Sequence, residues 1–161
     1  MNATPPDDRL PLAGELAHFR ALESLYLSAP INRLFESRLE ITAPGVARIY
    51  FRIEEKHYHA AGAAHGTSYF KMLDDAAFYA ANSLVPDRFV LTTAFNMLLT
   101  RPLKTGEVVA EGRWVSGKKR VYVSDARLID ASGEEVARGT GTFMRSHIAL
   151  SSLPGYRVDR E

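Results

Sequence analysis

The amino-acid sequence predicts an α+β domain in which one antiparallel sheet packs on a long central helix. Helical spacing of apolar residues runs from Gly66 to Leu84, and four strand-like segments separated by short turns follow it. Two more strand-like segments precede this helix. A chain of 161 residues fits one domain of this kind and can bury a core without a metal or a disulfide.

The first predicted helix runs from Gly14 to about Ser28, and Pro30 ends it. Its apolar residues recur every three or four positions and form one stripe: Leu16, Phe19, Leu22, Leu25 and Tyr26. A second, short helical piece follows. We expect the domain to occupy residues 14–147, between a flexible N-terminal segment at 1–13 and a loosely held C-terminal tail at 148–161.

The next segment predicts two strands around a turn at Pro44 and Gly45. In the second strand two sets of residues alternate, which is the pattern of a strand with two different faces. The sets are Val46, Arg48, Tyr50 and Arg52 on one face, and Ala47, Ile49, Phe51 and Ile53 on the other.

The long helix is followed by strands predicted at residues 89–103, 108–115, 121–129 and 136–144. Because the turns between them are short, consecutive strands are expected to be antiparallel neighbours. In the last strand one face carries small residues, Gly139 and Gly141, between Ala137 and Phe143. The helix carries four alanines, so we expect it to lie close to the sheet at this strand.

The composition excludes several classes of function. With 20 basic and 19 acidic residues there is no strong field to attract nucleic acid or an anionic membrane. The chain has no cysteine, which excludes disulfides and thiol catalysis and suggests an intracellular, cytoplasmic protein. No apolar run approaches the ~18 to 20 residues of a membrane helix, and the first residues lack the apolar core of a signal peptide.

Two adjacent carboxylates, Asp74 and Asp75, interrupt the otherwise apolar central helix. A carboxylate beside a carbonyl can act as a nucleophile or as the base that activates water. From helical spacing alone, Asp74 could equally be an ordinary exposed residue of the helix. Asp75 lies about 100° round the helix and four residues after Lys71, which predicts a weak surface ion pair and a structural or accessory role.

The segment before the helix contains three histidines, and its last residues form a His65-Gly66 turn. Gly66 would begin the helix, where backbone N–H groups are unpaired and negative charge is favoured. A histidine at this position is usually a cap or a packing group. No set of His, Asp and Glu with the spacing of metal ligands accompanies these histidines, so we expect no metal site.

The helix entry, HAAGAAHGTSYFKMLDDAAFYAAN, resembles that of hotdog-fold acyl-CoA thioesterases of the phenylacetate-pathway (PaaI-like) type. Their motif runs Asn-x-x-Gly-x-x-His-Gly-Gly with an acid nine residues after the histidine. Gly62, His65, Gly66 and Asp74 match it, whereas His59 stands where Asn is usual and Thr67 replaces the second Gly. The resemblance extends over roughly residues 40–144.

This resemblance implies a hotdog fold, in which the sheet wraps around the central helix, and a homodimer or a dimer of dimers. Each active site would be shared between subunits. The Gly66 N–H would polarise the thioester carbonyl, and Asp74 of the facing subunit would attack it or activate water. His65 would brace the loop, and His59 and Thr67 would lie beside the thioester of an acyl-CoA substrate. No metal or redox cofactor is implied.

Two further sites stay open. Asn96, a polar residue in an apolar strand, is expected either to touch the ligand or to hold a strand edge. Lys118, Lys119 and Arg120 form a basic turn, which is either a solvated hairpin tip or a contact for the phosphates of coenzyme A.

Two other classes of function also stay open: a hotdog hydratase or dehydratase, and a non-catalytic acyl-CoA-binding protein. The sequence specifies neither the acyl chain nor the pathway.

Overall fold

The computed structural model describes residues 10–158. It contains three α-helices, which are α1 (Ala13–Ser28), α2 (Ile31–Phe35) and α3 (Gly66–Asn82). Six strands form one antiparallel sheet: β1 (Arg38–Ala43), β2 (Val46–Ile53), β3 (Arg88–Leu99), β4 (Gly106–Ser116), β5 (Val121–Asp130) and β6 (Glu135–Ala149). The predicted α+β class and the hotdog arrangement, with α3 against the sheet, are confirmed. Of the N-terminal segment predicted to be flexible, residues 1–9 lie outside the described part of the chain.

The strand order is β1-β2-β4-β5-β6-β3, so β3 and β4 are not neighbours. The prediction that they pair was wrong because β3 ends at Leu99 and not at Leu103. Residues 100–105 form a connection held by other partners: the Arg101 N–H donates to the Val136 carbonyl, and Ala64 donates to the Leu103 carbonyl. As a result β3 pairs with β6 and forms one edge of the sheet, and β1 forms the other.

One face of the sheet packs on α3 and the other faces away from it. In β2 the predicted apolar set, from Ala47 to Ile53, is buried, and Arg52 is exposed on the opposite face. The buried side of α3 includes four alanines: Ala76, Ala77, Ala80 and Ala81. This face holds the hydrophobic core, whose burial is the main contribution to folding.

Helix α3 approaches the sheet closely at Gly112 of β4. A Cβ atom on Gly112 would lie 2.0 Å from the carbonyl oxygen of Ala76, so only glycine fits there. The predicted contact at Gly139 and Gly141 was wrong in its partner. Both glycines lie on the face turned towards α3, but the ring of Phe95 fills the space above them.

Gly112→Ala is expected to lower the free energy of unfolding by about 3 kcal/mol or more, because the clash is with backbone and no side chain can move to relieve it. Gly14→Ala is the matched control, since Gly14 lies in the first turn of α1 with nothing within 4 Å of its added Cβ. Denaturant unfolding of the two variants checks this. Equal stability of both variants would contradict the close approach.

The C-terminal segment is packed and not loosely held, which corrects the expectation for residues 148–158. β6 continues to Ala149, and Leu150 is fully buried. Further along, the Tyr156 hydroxyl bonds to Nδ1 of His18 on α1 at 2.7 Å. Composition alone suggested a tail, but these contacts are made with segments far away in sequence, α1 and the start of β3. Among the described residues, no helix is long and apolar enough to cross a membrane.

Candidate active site

The start of α3 is held by a cap and by the loop before it. His65 is the N-cap residue, and its Nδ1 accepts a hydrogen bond from the Thr67 N–H at 3.1 Å. The Thr67 hydroxyl lies 3.1 Å from the same nitrogen. The backbone N–H of His65 donates to the His57 carbonyl at 2.8 Å. The side chains of His65 and Thr67 therefore serve the cap, and Gly66 is the first residue of the helix.

A pocket of about 270 Å³ opens at this helix start. Its lining includes Gly66, His59, Tyr69 and Leu99. Gly66 has no side chain and is part of the lining, so its backbone borders the pocket directly. His59 accepts a hydrogen bond at Nδ1 from the Ala61 N–H at 3.0 Å. The structure thus brings His59 and Gly66 together. Within residues 10–158 no group of three or more His, Asp or Glu residues could hold a metal ion.

Asp74 lies two turns further along α3 and is partly buried. Its Oδ1 accepts a hydrogen bond from the Thr92 hydroxyl at 3.0 Å. Burial raises the pKa of Asp74 to about 6, and the neighbouring Asp75 adds to the rise, whereas the Thr92 bond and the Lys71 charge oppose it. Asp74 is therefore a carboxylate whose proton affinity suits a general base near neutral pH.

Thr92 is a site residue that the sequence reasoning missed, and a β-bulge explains why. The register between β3 and β6 shifts between Thr92 and Ala94. Thr92 pairs with Phe143, which faces α3, and Phe95 also faces α3 although it is three residues later. Strict alternation would have put Thr92 and Phe95 on opposite faces.

The same bulge turns Asn96 away from α3. Asn96 pairs with Thr140 and lines a second pocket on the opposite face of the sheet. Asn96 was expected either to touch the ligand or to hold a strand edge. It lies on the edge strand β3, and the sheet separates it from a ligand held at Gly66.

Asp75 belongs to a partly buried polar cluster and not to a surface pair. It forms an ion pair with Lys71, and both side chains are largely covered, at 17% and 13% exposed. The Tyr26 hydroxyl donates to Asp75 at 3.0 Å, and Lys71 Nζ donates to Asn32 Oδ1 at 2.6 Å. Burial raises the pKa of Asp75, and the Lys71 charge opposes the rise. These bonds join α3 to α1 and α2, which agrees with the structural role predicted for Asp75.

Gly66, Phe70 and Asp74 follow one another at intervals of four residues and so lie along one side of α3. Eight residues of helix separate Gly66 from Asp74 by about 12 Å. Phe70, between them, is 41% exposed and packs edge-on against Phe95 at 5.7 Å between ring centroids. Within one chain, Gly66 and Asp74 therefore cannot both contact a single carbonyl group.

The basic turn of Lys118, Lys119 and Arg120 is exposed and joins β4 to β5. Val121, which follows it, pairs with Met144, the residue next to the partner of Thr92 in β6. The turn therefore lies at the end of the sheet where Asp74 is found, away from the pocket at Gly66.

The thioesterase superfamily model matches residues 61–137, from the loop before α3 into β6. The fold is similar to that of the E. coli PaaI protein from the phenylacetic acid degradation operon, with 17% identity, a TM-score of 0.77, and coverage of 85% of this chain and 99% of that one.

A mutant of the phenylacetic acid degradation protein PaaI from Thermus thermophilus is 25% identical, with a TM-score of 0.67 over 73% of this chain and 100% of that one. A protein of Sulfurisphaera tokodaii named "Putative esterase" is 27% identical over 112 residues, which are 69% of this chain and 83% of that protein. These likenesses confirm the resemblance to PaaI-like hotdog thioesterases.

Proposed function

We propose that this chain, a hotdog-fold protein similar to the PaaI-like thioesterases, hydrolyses acyl-CoA thioesters to a free acid and coenzyme A. The observation that carries the proposal is Asp74, a partly buried carboxylate with a raised pKa that accepts a hydrogen bond from Thr92 of β3. It lies on the same side of α3 as Gly66, the first residue of the helix. Hydrolysis needs a group of this kind beside a polarised carbonyl.

In a dimer, a second copy of the chain would bring an Asp74 close to Gly66. β3 is an edge strand, and an exposed edge favours pairing with another strand. A two-fold axis through Phe70 exchanges the positions of Gly66 and Asp74 along α3. On β3, Leu99 lies beside Gly66 and Thr92 lies beside Asp74. A two-fold axis that exchanges Leu99 and Thr92 would pass between Phe95 and Asn96.

The two estimates of the axis agree, because Phe70 and Phe95 contact each other. An axis at this aromatic pair would cover the exposed faces of Phe70 and Leu99. It would place Gly66 of one subunit beside Asp74 of the partner subunit. Each dimer then has two equivalent sites, as a two-fold symmetric interface requires.

In such a site the Gly66 N–H donates a hydrogen bond to the thioester oxygen and stabilises the negative charge that develops there. Asp74 of the partner subunit either takes a proton from the attacking water or attacks the carbonyl carbon itself. In the first route the water oxygen bonds to the carbonyl carbon, the C–S bond breaks, and the proton is passed to the leaving thiolate. In the second route an Asp74 oxygen bonds to the carbonyl carbon, the C–S bond breaks to release the thiolate, and water then hydrolyses the anhydride to free the acid and restore the Asp74 carboxylate. Thr92 holds Asp74 in one orientation. Neither route uses a metal or a redox cofactor.

The basic turn is proposed to contact the phosphates of coenzyme A. Replacing Lys118, Lys119 and Arg120 together by Ala is expected to raise KM more than it lowers kcat, because the phosphates lie far from the reacting carbon. The penalty should shrink as salt rises, since exposed charges are screened. Steady-state kinetics at low and high salt measure this. Unchanged kinetics would make the turn a solvated hairpin tip.

A thiol-release screen over a panel of aryl-, short- and medium-chain acyl-CoA esters tests the function itself. Release of free thiol supports hydrolysis. An altered double bond without thiol would indicate a hydratase or dehydratase. Binding with neither product would indicate a non-catalytic acyl-CoA-binding protein.

A further inference from the structure

A larger pocket lies on the sheet face that points away from α3, and neither Gly66 nor Asp74 belongs to it. Its volume is about 520 Å³. Gly112, Ala126 and Gly139 form its floor. An added Cβ on Gly112 or Gly139 would point towards α3 or Phe95, so the floor at these residues is bare backbone. Side chains of neighbouring strands form the walls.

The walls carry more positive than negative charge. Four arginines and two acids line the pocket: Arg48, Arg113, Arg127, Arg138, Glu111 and Asp125. A single carboxylate, Glu111, serves both Arg48 at 3.5 Å and Arg127 at 2.8 Å. Arg138 is paired with its own carboxylate, that of Glu135, at 2.5 Å. An anion entering the pocket would therefore meet incompletely neutralised guanidinium groups at Arg48 and Arg127.

Arg113 is the least neutralised of these arginines. It is exposed, and among residues 10–158 no carboxylate forms an ion pair with it within 4.0 Å. Asp125 is its cross-strand partner, but the Asp125 carboxylate accepts a hydrogen bond from the Thr140 hydroxyl at 2.6 Å. The guanidinium of Arg113 is thus available to an added ligand.

The charge also decides between a protein and a small molecule as the occupant. The core of a protein–protein interface is enriched in arginine but depleted of acidic residues, whereas this pocket holds Glu111 and Asp125 among its arginines. Its volume is that of small-molecule sites, and arginine pairs bidentately with phosphate. Asn96 and Thr140 offer polar contacts for an uncharged part, and Leu98 offers an apolar one. We propose that this outer pocket binds a phosphate-bearing small molecule of nucleotide size.

Titration calorimetry of the whole protein with ADP as the probe tests the proposal. Arg113→Gln should weaken ADP binding about tenfold, the effect of losing one charge-assisted hydrogen bond. Glu111→Gln should strengthen it severalfold, because it frees two guanidiniums from their shared carboxylate. Arg52→Gln is the matched control, since Arg52 projects from the same face of β2, pairs with Glu107 and lies outside the pocket.

Opposite effects of Arg113→Gln and Glu111→Gln, with Arg52→Gln unchanged, would support the site, and adenosine should not bind. No heat with ADP up to about 1 mM would overturn it. So would an ADP affinity that none of the three variants changes, because ADP would then occupy another site. Because coenzyme A contains ADP, the proposed function predicts that ADP also binds at the basic turn of Lys118, Lys119 and Arg120, but binding there would not change in any of the three variants. Thiol release is measured separately, so failure of this proposal and failure of the proposed function are distinguishable.

Discussion

Asp74→Asn is expected to lower kcat by about 10² to 10⁴-fold, the range for a positioned base. The amide keeps the shape of the side chain but loses the charge and most of the basicity. Asp75→Asn should lower kcat far less, because Asp75 bonds to Lys71 and Tyr26 on another side of α3. Turnover of the best acyl-CoA substrate by the two variants, measured side by side, checks this.

The pH dependence follows from the same carboxylate. Because the pKa of Asp74 is about 6, kcat/KM of the wild type should rise with pH through about 6 and then level off. Below that pH Asp74 is protonated and cannot accept a proton from water. Residual activity of Asp74→Asn should lack this rise.

The free energy of unfolding should change in opposite directions in the two variants, rising in Asp74→Asn and falling in Asp75→Asn. Burial raises the pKa of Asp74 above its usual 3.8, so its contribution to stability is complete below that value and is lost as the pH rises through about 6. At pH 7 to 8, Asp74→Asn should therefore be more stable than the wild type.

Asp75→Asn should be less stable by about 1–3 kcal/mol, because it leaves the partly buried Lys71 without its carboxylate.

If Asp75→Asn abolishes turnover and Asp74→Asn does not, the assignment is wrong by one residue. If neither matters, the hydrolase proposal fails.

Gly66→Pro should lower kcat by about 10² to 10³-fold, the cost of removing one oxyanion donor. Proline lacks the N–H but fits the first position of a helix. The residue before a proline must be extended, and His65 already is, with φ −66° and ψ 147°. Helix α3 should therefore form in this variant, and circular dichroism and kinetics together measure the effect.

Gly66→Ala is the matched control for the donor. It keeps the N–H, and its Cβ would make an ordinary contact with Leu99 at 3.7 Å. Activity close to that of the wild type would assign the loss in Gly66→Pro to the missing donor. Equal losses in both variants would show instead that the site needs space at Gly66, not its N–H.

The elements governed by local periodicity could be predicted from the sequence. The alternation in β2, the start of α3 at Gly66 and the short hairpins after β4 and β5 all depend on neighbours in the chain. The position of β3 could not be predicted, because it depends on which edge of the sheet the chain crosses to after α3. The order of strands in space is a tertiary property.

The candidate site divides in the same way. Asp74 and Gly66 were found from a helix and its motif. Thr92 was missed, and the expectations for Asn96 stayed open between ligand contact and a strand-edge role, because one bulge in β3 changes the face of every later residue. The burial of Asp75 was also missed, since its partner Tyr26 comes from α1, and Asn32 of α2 bonds to the Lys71 with which Asp75 pairs.

The shared site can be measured most directly in heterodimers that combine the two inactive variants. One subunit carries Asp74→Asn and the other Gly66→Pro, each with a different affinity tag, and tandem purification isolates the mixed dimer. One of its two sites then has Gly66 and Asp74 both intact, so we expect about half of the wild-type activity per dimer. A purified mixed dimer no more active than its parents would contradict a site built from both subunits.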